Sequence, residues 1–406
     1  MAYSSSNIVK FHTSRLLLVI GTLFGRVHCY ALSLRCFQRA SAMFPNSYAA
    51  ESAMGWAYQH LGNHQKAIDC SDRALQINPS YAHAHVLKAY SLAHLGDSQQ
   101  ALEELLRASR SNPKYQNQRY HLLALGATYA RLGRMDESEA AYKKAHVLFP
   151  KDPEVVLWHG WALVASKHAE EAEPVLAEAI RLDPKRADAH YNLGIALGDL
   201  EKWNDAVVEF QNTIHLDPTR ADARFGLGNA YKELRRFEDA VGPLEEAIRL
   251  SPEDPDAYVQ IGVVYGELAL WQETLETGQK LRQLLPENEI GCWLMSSAYT
   301  ELGQYSESVA VAEANLRLNP SSTPAIEGLA YTYLKSARFA DAILVYQRAI
   351  EAHPDADYLH AQLGAAYVGV GDSGSASAQQ KVLLRLNPAW AEDLQREIQE
   401  KAGEKH

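Results

Sequence analysis

Residues 187–220 read ADAHYNLGIALGDLEKWNDAVVEFQNTIHLDPTR. Leu193, Gly194, Leu197 and Leu200 fall on one face at helical spacing, and Ala206, Val207, Phe210 and Ile214 do the same further on. A polar turn around Glu201 and Lys202 separates the two helices. Asp217–Pro218 closes the pair, because proline has no N–H to continue a helix and its ring clashes with the preceding turn. Two short amphipathic helices cannot bury their apolar faces alone, so the unit needs neighbours of its own kind.

The chain supplies them. Pro45, Pro79, Pro113, Pro150, Pro184, Pro218, Pro252, Pro286, Pro320, Pro354 and Pro388 recur every 34 residues, except that 37 separate Pro113 from Pro150. A small residue keeps register in the first helix: Gly21, Gly55, Ala89, Gly126, Gly160, Gly194, Gly228, Gly262, Ser296, Ala330 and Gly364. Three residues on stands a large one, Phe24, Tyr58, Leu92, Tyr129, Leu163, Leu197, Tyr231, Tyr265, Tyr299, Tyr333 or Tyr367. A small residue precedes most of the prolines by five, as at Ala40, Ala74, Ala108, Ala145, Ala179, Ala247 and Ala349. Glycine inside a helix costs roughly 1 kcal/mol relative to alanine, so its recurrence there implies close helix packing. A fixed period across a whole chain marks a stacked-repeat protein.

These columns resemble the tetratricopeptide repeat, a 34-residue helix–turn–helix unit with a Trp/Leu–Gly–Tyr, Ala–Phe–Ala and Pro signature. The resemblance covers residues 14–390 as eleven units: 14–47, 48–81, 82–115, 119–152, 153–186, 187–220, 221–254, 255–288, 289–322, 323–356 and 357–390. It implies an all-α, right-handed solenoid superhelix, similar to the repeat domain of the O-GlcNAc transferase but without a catalytic domain. Thr213, Leu281, Asn315 and Leu383 depart from the late-alanine column, the first unit is degenerate, and Gly278 is expected to interrupt a helix. Residues 1–13 are expected to be a flexible tail. In 391–406, Leu394, Ile398 and Ala402 share one face of a charged helix, which suits a cap over the last repeat.

Length alone would suggest two or three domains, but repeats that touch only their neighbours make one elongated domain the expectation. Cys29, Cys36, Cys70 and Cys292 form no disulfide framework and are expected to be reduced packing residues; Cys36 and Cys70 occupy equivalent places in consecutive repeats, too far apart to be bridged. The net charge of −11 is uneven: residues 1–150 carry 16 Lys and Arg against 9 Asp and Glu, the remainder 23 against 41. An acidic majority argues against nucleic acid, whose affinity comes mainly from neutralising phosphates. Residues 16–24, LLLVIGTLF, are the most apolar run; it is too short for a span of about 20 residues. It has the length of a secretory signal core but no small-x-small cleavage site follows, and Gly21 and Phe24 sit in their columns. The first helix of the first repeat is therefore expected, with a cytoplasmic protein; export or membrane association is the alternative.

No glycine-rich phosphate loop, Gly-x-Ser-x-Gly elbow, His-Glu-x-x-His or Cys-x-x-Cys occurs. His60 and His64 are four apart, but His64 is placed in a turn and no third ligand has sensible spacing. A non-enzyme without cofactor or metal is expected.

The resemblance implies that the first helix of each pair lines a concave surface that holds protein or peptide segments. Acids near the helix starts, Glu154, Asp188, Asp222 and Asp256, are favoured there by the helix dipole. Asp199, Glu233, Glu267 and Glu301 recur in the last turn, where the dipole disfavours them by roughly 0.3–1 kcal/mol. They read either as an acidic ladder for a basic partner segment or as solvated helix ends beside Lys or Arg, such as Lys232. Trp56, Tyr90, Trp161, Asn229 and Tyr331 occupy the helix middles, with Tyr191, Phe225 and Trp293 a turn earlier; aromatics there anchor partners or pack repeats together. Asn192 and Asn229 are suited to hydrogen-bonding an extended peptide, as groove asparagines do in the O-GlcNAc transferase repeats. The leading expectation is a non-catalytic scaffold for an extended basic segment. The alternatives are a self-assembling homo-oligomer and an accessory subunit of a glycosyltransferase or envelope-assembly complex.

Overall fold

The computed structural model describes residues 5–403, which contain α-helices, one short 3-10 helix and no strand. The chain divides into two compact units, Met1–Lys202 and Trp203–His406.

The first unit runs α1 (Ser5–Arg26), α2 (Tyr30–Met43), α3 (Tyr48–His60), α4 (His64–Ile77), α5 (Ala82–His94), α6 (Ser98–Ser111), a 3-10 turn over Pro113–Asn117, α7 (Arg119–Arg131), α8 (Met135–Leu148), α9 (Pro153–Ala165), α10 (Ala169–Leu182) and α11 (Ala187–Asp199). The second runs α12 (Trp203–Leu216), α13 (Ala221–Glu233), α14 (Phe237–Leu250), α15 (Pro255–Glu267), α16 (Trp271–Leu284), α17 (Glu289–Glu301), α18 (Tyr305–Leu318), α19 (Thr323–Lys335), α20 (Phe339–Ala352), α21 (Asp357–Val370), α22 (Ser373–Leu386) and α23 (Pro388–Gly403). Within each unit consecutive helices pack on one another, and first helices also meet the next first helix, as α3 meets α5 and α17 meets α19. Several helix starts are capped by the side chains the sequence places there: Ser47, Asn63, Asp97, Asp152, Asn288 and Asp372 each accept a first-turn N–H, satisfying donors that the helix leaves open.

The small-residue column does what its recurrence implies. A Cβ on Gly126 would lie 2.6 Å from the Tyr142 ring, and one on Gly160 2.5 Å from Leu176; both partners come from the second helix of the same hairpin. The inserted residues after Pro113 form the 3-10 turn, capped by Asn112. At the other end, Ala391, Leu394 and Ile398 of α23 are buried, whereas Ala402 is exposed, so the apolar cap is one turn shorter than its pattern suggests.

Three expectations change. The part of 1–13 that is described belongs to α1, which begins at Ser5 and not at residue 14. Gly278 does not interrupt α16; its missing Cβ lets the backbone of α17 approach, with Gly291 O 3.0 Å from where that atom would stand. His64 begins α4, and it stacks on His94 while His60 stacks on Tyr30, so the two imidazoles serve different neighbours. Repeat 289–322 carries a buried hydroxyl cluster that reaches Thr332 of the next repeat. Ser308 Oγ lies 2.8 Å from Ser296 Oγ, 2.9 Å from Thr300 Oγ1 and 2.7 Å from Thr332 Oγ1.

One column escaped the sequence pattern. Every hairpin bend carries a left-handed residue: Gly62, Gly96, Gly133, Gly303 and Gly371, but also His28, Lys167, Glu201, Arg235, Ala269 and Ala337. A side chain in that region costs about 1–2 kcal/mol, which glycine avoids. Ala269→Gly and Ala337→Gly should each therefore raise stability by about 0.5–1 kcal/mol. Urea unfolding midpoints check this; a lower midpoint for either would show that its methyl makes a contact worth keeping.

Candidate functional site

The first helices of each unit carry the residues expected to face a partner, and the structure gathers some of them and separates others. In the first unit α5, α7 and α9 enclose a cleft of about 430 Å3 that Tyr90 and Trp161 both line. Tyr120, Leu123, Arg131 and Trp158 complete it, none of them singled out by the repeat columns. Trp158, Trp161 and Tyr142 form a ring cluster with centroids 5.8–6.3 Å apart, and Tyr142 is itself the residue wedged against Gly126. Tyr90 is 43% exposed and Tyr120 74%, so the mouth is aromatic and open. The charges around it are engaged: Arg119 holds both Asp152 and Glu154, and Arg131 donates to the Ala93 carbonyl at 2.9 Å. What remains available is an apolar recess.

Trp56 lies elsewhere. Its indole covers Gly25 of α1, where a Cβ would sit 2.4 Å away, and meets Tyr30 and His60 edge-on; it packs repeats together. Tyr191 is half-buried on α11. Asn192 is buried, and its Nδ2 donates to the Asp188 carbonyl at 2.7 Å, which turns the amide towards its own helix. Asp199 pairs with Lys167 at 3.6 Å.

In the second unit Glu267, Trp293, Glu301 and Tyr331 line one cavity of about 240 Å3, with Gly262, Gly266 and Trp271 at its back. Trp293 is fixed from behind by packing on Tyr258, Leu281 and Leu294. Tyr331 Oη donates to Glu301 at 2.5 Å, and Lys335 Nζ lies 3.3 Å from the same carboxylate. Burial, then the hydrogen bond to Glu301, raises the Tyr331 phenol above its ordinary pKa; the hydrogen bond to Glu301 raises that of Lys335. Tyr331 also borders a second recess of about 460 Å3, which runs to Tyr358, Trp390, Asp393 and Glu397. Burial and the neighbouring Glu400 and Asp393 push the Glu397 carboxyl up, a sign of crowded negative charge. Phe225 and Asn229 are half-buried on α13.

Each acid of the expected ladder has a cation at hand. Glu233 meets Lys232 at 2.9 Å, and Glu267 meets Arg235 at 3.6 Å. Lys167 and Arg235, which serve Asp199 and Glu267, stand at left-handed bends one repeat earlier and keep more than three quarters of their side chains in solvent. Such exposed pairs contribute roughly 0–1 kcal/mol.

Helical hairpins in register define a helical-repeat protein. The chain belongs to the tetratricopeptide repeat family: the family's sequence profile matches residues 18–82, 159–197, 193–255 and 294–378. The profile of the N-terminal tetratricopeptide region of Psidin matches residues 56–172. Among solved structures the fold is similar to yeast Tom70, at 14% identity over 97% of this chain and 95% of that one, with a TM-score of 0.41. It is also similar to MamA, at 25% identity over 42% of this chain and 92% of that one, with a TM-score of 0.38. A tetratricopeptide repeat protein from Parabacteroides merdae is 14% identical over 62% of this chain and 98% of that one, with a TM-score of 0.48. A search of curated protein sequences finds no match. The family and fold are those of a protein-interaction scaffold.

Proposed function

We propose that this scaffold grips an extended, basic protein segment on the first-helix face of its second unit, without chemistry of its own. The observation that carries this reading is that Glu267, Trp293, Glu301 and Tyr331 line a single cavity. An indole and a phenol beside two carboxylates suit an arginine or lysine side chain, whose stem packs on rings while its head meets acid. Arg235 and Lys335 do not close the site, because weak surface pairs yield to an incoming cation. The apolar cleft of the first unit suits an aliphatic or aromatic side chain of a partner.

The test is a double charge reversal, Glu267→Lys with Glu301→Lys, in the full chain. Capture of partners from lysate at low ionic strength, read by mass spectrometry, should fall at least tenfold for basic segments while helicity is kept. Unchanged capture would remove the acidic wall from the account. Trp161→Ala in the first unit should weaken capture of any partner that inserts an apolar anchor there, and should leave the effect of the charge reversal intact.

A further inference from the structure

We propose a second binding surface, independent of the acidic wall: α1 lies on anionic lipid bilayers. One side of this helix is fixed to the protein. Ser14 donates to the Ala40 carbonyl, Gly21 is closed by Phe37, and Gly25 by Trp56. The other side presents Leu16, Val19 and Leu23, which are 58%, 57% and 54% exposed, and just past the helix Val27 at 64%. These positions fall within about a quarter-turn of one another and span about 16 Å at 1.5 Å per residue. Arg15 and Arg26 flank them on the same exposed side.

Charge selects the occupant. Residues 1–50 contain Lys10, Arg15, Arg26, Arg35 and Arg39 and no aspartate or glutamate. The first carboxylate, Glu51, is buried and already holds Arg73 and Ser41. A second copy pairing through α1 would set Arg15 and Arg26 against their own counterparts with no acid to separate them, so a symmetric dimer here is repelled. A bilayer of acidic phospholipids offers phosphate and carboxylate at the level of the arginines and acyl chain beneath for the leucines, the arrangement that interfacial helices use. No described helix is long and apolar enough to cross a membrane, so the contact is lateral.

Sedimentation with vesicles tests this on the full chain. Vesicles of about three parts phosphatidylcholine to one part phosphatidylserine should bind at least tenfold more tightly than phosphatidylcholine alone, since each cation near such a surface adds about fivefold. Leu16→Gln with Val19→Gln and Leu23→Gln should abolish binding; all three are exposed, so circular dichroism should not change. Arg15→Gln with Arg26→Gln should reduce binding about 30-fold and remove the lipid preference. Equal binding to both vesicles, or an unaffected triple variant, overturns the proposal. So does a concentration-dependent dimer that the triple variant dissolves without any vesicle binding.

Discussion

Gly126→Val is expected to destabilise the first unit by about 2–3 kcal/mol, while Gly242→Ala, also in mid-helix, should change the stability of its own by less than about 1 kcal/mol. The two glycines look alike in the sequence and differ in what surrounds them. At Gly126 an added Cβ would stand 2.6–2.7 Å from three atoms of the Tyr142 ring. That ring is 2% exposed and held by Trp158 and Trp161, so it has no empty rotamer to enter. At Gly242 a Cβ meets nothing within 4 Å beyond its chain neighbours, so the gain in helix propensity is set only against the crowding that the following Pro243 imposes on a helical residue with a Cβ. Urea unfolding checks both. Should Gly126→Val unfold at the wild-type midpoint, the close approach of α7 and α8 is not what the recurring glycine is for. Because Tyr142 also backs the aromatic cleft, the same substitution should disturb the cleft's tryptophan fluorescence before the unit unfolds.

Acid should weaken the first unit well before its carboxylates titrate. His121 and His159 are 1% and 7% exposed, and each has a ring nitrogen, Nδ1 and Nε2 respectively, without a hydrogen-bond partner among the described residues. Burial, then the Lys144 charge for His121 and the His146 ring for His159, lowers both to a pKa of about 4. An unfolded histidine protonates near 6.5. Between that value and about 4 the unfolded chain binds protons that the folded one refuses, so stability falls as pH falls through this window. The loss can reach roughly 3 kcal/mol for each ring. Urea midpoints at pH 7.5 and pH 5, compared between the wild type and His121→Gln with His159→Gln, isolate the effect. The double variant should lose much less on acidification. An equal loss would assign the acid sensitivity to other groups.

The repeat was legible because three columns, proline, glycine and aromatic, each answer a local steric demand that recurs every 34 residues. The bends were not, since a left-handed backbone tolerates His28, Lys167 or Ala337 when the flanking helices fix the turn, and those residues advertise nothing. Tyr90 and Trp161 could be placed on first helices, but not in one cleft with Trp158: that depends on how α5, α7 and α9 are spaced around the three-residue insertion. Asn192 had the right position for a groove contact, yet hydrogen-bonds its own helix. The cations beside Asp199, Glu267 and Glu301 lie 32 to 34 residues away in sequence, so only the stacking of repeats brings them together. The sequence favours neither reading of the ladder over the other; the structure sets a cation beside each of the four acids.

The bends at Lys167 and Arg235 have one more consequence. Each carboxylate they reach behaves like a site on an ion-exchange resin whose counterion is tethered by its own side chain. A guest cation that settles there liberates no small ion from the wall; it frees an arginine or lysine that then collects an anion from solution. If the proposed basic guest binds there, the dependence of its affinity on salt should be flatter than its charge would suggest, and each such carboxylate regains its tethered cation when the guest departs.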